Sequence, residues 1–212
     1  MMSRAFKQIR NLVAAASFAV LPAIAMAAET PDALIKSVSE EVLTIVRQDK
    51  AIQSGDMKKT LELIDAKVLP NFDFEAMTSL AVGRNWRSAT PEQKTALTAE
   101  FRTLLVRSYA NALNRFKDYQ ITYLPLKSQP GDTEVTVRTT VRKAGQQPDS
   151  VDYAVHQKDG TWKVFDVTVA GASLITAYRD EFAQDVKTGG IDGLIASLKT
   201  KNANNAGAPA KK

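Results

Sequence analysis

Val135-Thr136-Val137-Arg138-Thr139-Thr140-Val141, then Val151-Asp152-Tyr153-Ala154-Val155-His156, then Trp162-Lys163-Val164-Phe165-Asp166-Val167-Thr168-Val169 alternate apolar and polar residues. A period of two sends successive side chains to opposite faces, so each segment reads as a β-strand with one buried face. Asp159-Gly160 supplies a two-residue hairpin turn between the last two, and Gly131-Asp132 and Gly145 mark looser turns. Ile121 and Tyr123 start the pattern just beyond Lys117. The alternation predicts a four-stranded antiparallel meander, with either Val164 or Phe165 facing inward in its last strand.

On both sides of the meander the period changes to that of helices. Leu34, Val38, Val42 and Ile45, joined by Ile35 and Val46, mark an amphipathic helix from Asp32 that Ser54-Gly55-Asp56 breaks. Met57, Leu61, Ile64 and Val68 mark a second helix, which Pro70 ends. Asp73 caps a short third through Phe74, Met77 and Leu80 to Gly83. Thr90-Pro91-Glu92-Gln93 combines a cap, a proline at the first helical position and a reciprocal Gln. It opens a fourth helix whose buried stripe is Leu97, Phe101, Leu104, Leu105, Tyr109, Leu113 and Phe116. After Gly171, Leu174, Tyr178, Phe182 and Val186 predict a fifth helix, and Ile191, Leu194, Ile195 and Leu198 a short sixth. Helices gathered on one side of a curved sheet make an α+β layer pair with a concave face that helices fill or roof over.

The two ends carry the net charge. Arg4, Lys7 and Arg10 precede the apolar stretch Asn11 to Met26, and Ala25-Met26-Ala27 has the small-x-small pattern of a cleavage site. Pro22 interrupts that stretch and it falls short of the roughly 18 to 20 apolar residues a spanning helix needs. Residues 1–27 therefore read as a signal peptide, cleaved after Ala27, that delivers a soluble protein to the periplasm. Of 28 basic residues against 23 acidic the leader holds three, leaving 25 against 23, and the last lysines, Lys199, Lys201, Lys211 and Lys212, account for four more. The folded body is then slightly acidic, without the basic stripe that nucleic acid requires. Residues 201–212 read as a disordered polar tail, and 28–200 as one domain.

Cysteine is absent and His156 is the single histidine. In an oxidising compartment no disulfide can help, so a hydrophobic core must hold the fold. Thiolate metal sites, thiol nucleophiles and multi-histidine metal sites are excluded. There is no Gly-rich phosphate loop, G-x-S-x-G elbow or HExxH pair, and nothing calls for a metal or cofactor. His156, on the polar side of its strand, reads as a solvated residue. Asp166, inside an apolar strand, is the one acid suited to a raised pKa and general-base work. Arg84, Trp86 and Arg87 lie between helices where neither period demands them, and are candidates for a pocket mouth.

Phe72-Asp73-Phe74-Glu75-Ala76-Met77-Thr78, Gly83-Arg84-Asn85-Trp86-Arg87, Ala89-Thr90-Pro91-Glu92-Gln93, Phe101-Arg102-Thr103-Leu104-Leu105 with Tyr109, Trp162-Lys163-Val164-Phe165-Asp166-Val167, and Gly171-Ala172-Ser173-Leu174 with Tyr178-Arg179 and Phe182 together resemble the MlaC family. These are periplasmic phospholipid carriers, also called the toluene-tolerance auxiliary family. The resemblance runs in order from the first helix to about Leu198. It implies an NTF2-like α+β cup with lipid tails in an apolar cavity between sheet and helices. It also implies a monomeric, non-enzymatic shuttle in the Mla pathway of outer-membrane lipid asymmetry. Its partners would be the outer-membrane MlaA-porin complex and the inner-membrane transporter containing the MCE protein MlaD.

On that reading the expected lipid-binding residues are Met77, Leu80, Leu97, Phe101, Leu105, Tyr109, Val137, Val141, Tyr153, Val155, Val164 and Tyr178. A filled core would use the same side chains. Two alternatives stay open: an NTF2-like enzyme with Asp166 as base and Tyr109 or Tyr153 as hydrogen-bond donor, and a periplasmic interaction module with a filled core.

Overall fold

The computed structural model describes residues 29–205. The leader with its cleavage site, and the tail beyond Asn205, lie outside the described residues. Helix α1 (Pro31–Gln48) ends before the expected break, because the Asp49 carboxylate accepts from Ala51 and Ile52 backbone N–H groups at 2.8 and 3.1 Å and starts a new turn, α2 (Lys50–Gln53). Asp56 caps α3 (Met57–Leu63), which unwinds into a π-helical turn at Ile64–Val68 and a 3-10 turn at Leu69–Asn71. Pro70 sits in that last turn, where it cannot donate to a continuing helix.

Asp73 caps α4 (Phe74–Val82), and Gly83, at φ 62°, ends it in a conformation that favours glycine. A 3-10 segment (Gly83–Ser88) leads to α5 (Pro91–Arg115). Its start is the reciprocal cap read from the sequence: Thr90 Oγ1 accepts from the Gln93 N–H at 3.2 Å, and Gln93 Oε1 accepts from the Thr90 N–H at 3.0 Å. Leu97 and Phe101 on α5 are fully buried.

The sheet is a five-stranded antiparallel meander in the order β1 (Tyr119–Tyr123), β2 (Glu134–Lys143), β3 (Asp149–Lys158), β4 (Thr161–Val169), β5 (Ala172–Ser173). The two-residue β5 is the strand beyond the four expected; it is too short to show a period. Between Ala154 and Val155 the register shifts: Val155 faces Val164 and Ala154 faces Asp166, so Phe165 is an extra residue in β4. That bulge resolves the ambiguity of the last strand. Val164 and Val167 both join Val135, Val137 and Val155 in the cluster under Ile35 of α1, while Phe165 packs toward the helical core.

The expected fifth and sixth helices are present as the two halves of α6 (Arg179–Asn205), which meet at a kink where Gly190, with φ 68° and ψ −167°, is not helical. Leu174 and Tyr178 precede it, Tyr178 in a 3-10 turn. Phe182, Ile191, Leu194, Ile195 and Leu198 bury against α4 and α5, and Phe101 meets Tyr178 and Phe182 edge-on at 5.1 Å. The helix continues five residues into the stretch read as a tail, because Asn202 is buried. Its side-chain amide nitrogen donates to the Glu100 carbonyl at 2.9 Å and carboxylate at 2.8 Å, and its backbone carbonyl accepts from Arg107.

Candidate functional site

A cavity of about 190 Å³ lies where α3's distorted end, α4 and α5 meet the edge of the sheet. Ile64, Val68 and Leu69 form one wall, Phe72, Phe74 and Met77 a second, and Leu105, Val106, Tyr109, Ala110 and Leu113 of α5 a third. Val167, Leu174 and Ile175 close the last side. The only polar side-chain atom among these fourteen residues is the Tyr109 hydroxyl, on a residue that is 38% exposed. Such a lining attracts hydrocarbon and gives a charged or metal-bound group nothing to hold it.

Of the twelve side chains expected at a lipid site, Met77, Leu105 and Tyr109 line this cavity. Leu97, Phe101 and Tyr178 instead pack the helical core, with Leu80 beside them. Val137, Tyr153, Val155 and Val164 pack under α1, and Val141 is buried further along β2. These nine lie outside the cavity for a physical reason: periodicity marks a buried face without telling a filled space from an empty one. The mouth candidates are likewise elsewhere, at the opposite end of α4. Arg84 and Arg87 are exposed, Arg84 beside Asp180 and Lys187 in a separate polar depression. Trp86 packs half-buried on the helical core with the Lys94 amine 5.4 Å from its ring centroid.

The lining residues overlooked are of two kinds: those such as Ile64, Val68, Phe74 and Leu113 lie on helical stripes read only as core, while others such as Leu69, Phe72 and Val106 lie off them. For Val68, Leu69, Phe72 and Phe74 the signal is the density of apolar residues around Pro70, where the helical period ends.

Asp73, between the two cavity-lining phenylalanines, fixes that wall. Its N–H donates to the Val164 carbonyl at 2.8 Å, and its carboxylate caps α4 through the Ala76 N–H at 3.1 Å. The same carboxylate lies 2.9 Å from Lys158 Nζ and 3.0 Å from His156 Nε2, both on β3. Burial alone would raise its pKa, but the Lys158 amine, the Ala76 N–H and His156 hold it below the ordinary 3.8. Lys158 is raised in turn, first by its hydrogen bond to Asp73. His156 is therefore not the freely solvated residue expected: it joins this ionic knot and packs its ring 4.9 Å from Phe165.

Asp166 lies outside the cavity lining. It faces Ala154 across the strands, on the side opposite Tyr153, and accepts from the Val167 N–H and the Ser173 hydroxyl, both at 2.8 Å. Ser173 Oγ accepts from the N–H groups of Ile175 and Thr176 at 3.2 and 2.9 Å. The carboxylate thus shapes the turn that brings Leu174 and Ile175 to the cavity. Tyr178, raised to about 12 by burial and then by neighbouring Tyr109, stays a neutral hydroxyl. Among the described residues no grouping of acids and histidine is suited to a metal ion, and no helix is long and apolar enough to cross a membrane.

The comparisons agree with this architecture. A toluene tolerance protein, ttg2D, from Pseudomonas putida is 27% identical over 176 residues, covering 82% of this chain and 81% of its own. The intermembrane phospholipid transport system binding protein MlaC of Haemophilus influenzae is 22% identical over 178 residues, covering 82% and 83%. The solved structure of a phospholipid-binding protein from Ralstonia solanacearum, in complex with a phospholipid, matches with a TM-score of 0.77. Its identity is 35%, over 85% of this chain and 99% of that one. The family model described as MlaC protein matches residues 36–200, and with most of its length so covered the chain belongs to the MlaC family.

Proposed function

We propose that this protein binds the acyl chains of a phospholipid in the cavity between α3, α4, α5 and β4, and ferries the lipid across the periplasm. The observation that carries this reading is an almost wholly hydrocarbon void, inside a fold shared with a phospholipid-bound relative. Exposing two tails of about 30 methylenes to water costs on the order of 25 kcal/mol at about 0.8 kcal/mol each, so spontaneous transfer is slow. A carrier replaces the bilayer's apolar surroundings and leaves the headgroup wet, past the Tyr109 hydroxyl. It supplies no energy source, so its partners set the direction of transport.

The donor and acceptor on this reading are the outer-membrane MlaA-porin complex and the inner-membrane MlaD-containing transporter, and the outcome is maintenance of outer-membrane lipid asymmetry. The void also weighs against a solid interaction module, and the engagement of Asp166 in a turn weighs against the isomerase-like reading. The test is organic extraction and mass spectrometry of the mature protein purified from cells. Near-stoichiometric diacyl phospholipid is the expected result, and protein that is reproducibly lipid-free when fresh overturns the proposal.

A further inference from the structure

We propose that the same cavity is a binding site for small aromatic hydrocarbons, benzene and its alkyl derivatives, which compete there with acyl chains. The binding stands on the cavity alone, while the competition rests on the lipid-carrying reading above. An engineered protein cavity of roughly 150 Å³, lined by Leu, Ile and Phe, stays dry and takes up benzene. The void here is about 190 Å³ and its walls are of the same kind, with Ile64, Leu105 and Leu113 set around Phe72 and Phe74. It has room for one ring as it stands.

Three features favour an aromatic guest. Phe72 and Phe74 stack with centroids 6.0 Å apart and planes 24° from parallel, and the Arg102 guanidinium lies 5.8 Å from the Phe74 centroid. A ring pair held in this way offers edge-on and offset contacts to a third ring, beyond the area that is buried. Met77, in the same wall, adds a polarizable thioether of the kind that packs well against rings. Benzene also has no torsions to freeze, whereas an acyl chain loses rotational freedom along its whole bound length. The lining gives the opposite instruction to charged relatives of benzene. Its only polar side-chain atom is the Tyr109 hydroxyl at the mouth, so the carboxylate of benzoate would be buried without a partner. The ligand class is thus the bare and alkyl-substituted rings. In water that carries such hydrocarbons, part of the carrier population is held in a hydrocarbon-filled form that takes no lipid.

Met57 and Met77 are the two methionines between residues 29 and 205, and only Met77 borders the void, so its methyl group reports on the site. The test is a benzene titration of delipidated protein with isotope-labelled methionine methyls, followed by NMR. The Met77 resonance should shift saturably, with a dissociation constant on the order of 1 mM, while Met57 stays in place. Benzoate should shift neither. Ala110→Phe and Leu105→Trp, which put a ring of the chain's own beside the void, should abolish the shift. Benzene at about ten times its dissociation constant should weaken the binding of fluorescent phosphatidylethanolamine about elevenfold, the factor for simple competition. A Met77 methyl that stays unmoved up to the solubility limit of benzene, or that moves only in step with Met57, overturns the aromatic site. So does a shift that persists in both folded variants. Lipid binding by the same preparations would still uphold the carrier. A saturable Met77 shift with undiminished lipid affinity overturns the competition and removes the acyl chains from this void. The same shift in protein that binds no phospholipid upholds the aromatic site and overturns the carrier.

Discussion

Ala110 is the most direct place to test the cavity. It is fully buried on α5 and borders the void, so Ala110→Phe adds a phenyl ring where there is space and little else. A benzene-sized group needs roughly 150 Å³, so one ring takes most of the 190 Å³ present. Filling that volume in a sealed void would stabilise by up to about 3.6 kcal/mol at roughly 24 cal/mol per Å³, and the open mouth reduces this to between about 0 and 2 kcal/mol. For the lipid the sign is opposite. Six ring carbons displace about five or six methylenes, which at about 0.8 kcal/mol each removes roughly 4 to 5 kcal/mol of binding, about a thousandfold in affinity. Extraction and mass spectrometry should find the variant largely free of phospholipid. Thermal unfolding of delipidated protein should give a midpoint at or above wild type. Ala183→Phe, on an exposed face of α6, serves as the control with full lipid content. A folded Ala110→Phe protein that carries as much phospholipid as wild type would refute the assignment of this void as the binding site.

Leu105→Trp should reduce co-purified lipid while the protein stays folded, because Leu105 borders the void. Val155→Trp, at a fully buried position packed among Val135, Val137 and Val164, should destabilise by about 1 to 3 kcal/mol in denaturant titration. Asp73→Ala removes the helix cap and the knot to Lys158 and His156, and a loss of about 1 to 3 kcal/mol is expected by urea unfolding. The Asp73 carboxyl is held below 3.8 in the folded protein, so its contribution is whole above that pH and drains away as pH falls through the lowered native value. Asp73→Asn, which keeps a capping oxygen, should flatten the acid limb of the stability profile between those two pH values. Gly190→Ala should cost about 1 to 3 kcal/mol, since no neighbour lies within 4 Å but φ of 68° with ψ of −167° is glycine backbone; an unchanged unfolding midpoint would mean the bend relaxes freely.

Most of the architecture was legible because it rests on local rules. The Thr90 box announced α5, Asp73 announced α4, and the alternation of Val135, Val137, Thr139 and Val141 survives as the buried side of β2. The failures are non-local. Asn202 looks like tail in sequence, and only the approach of α5 supplies Glu100 for its side-chain amide nitrogen and Arg107 for its backbone carbonyl. The two separate periodic runs Leu174–Val186 and Ile191–Leu198 do correspond to two helical halves, parted by non-helical backbone at Gly190, but only the packing of Phe182 and Leu194 in one core fixes how they meet. The cavity itself was predictable as a consequence of layers and only partly as a set of residues. Leu105 and Phe101 share one stripe on α5, four positions apart, and one borders empty space while the other meets two aromatic rings.

The extra residue in β4 has an implication for how this protein can evolve. Excising Phe165 would leave Trp162, Val164, Val167 and Val169 on the side they already occupy, since pairing with β3 simply becomes regular. Side-chain polarity thus gives selection no reason to keep it. What the deletion removes is local curl and the ring against His156, and bulges bend and twist their strand where they occur, here just before Val167 passes beneath the void. Hold capacity in homologues should therefore vary with the presence of this one supernumerary position, a backbone trait that a count of greasy residues would never register.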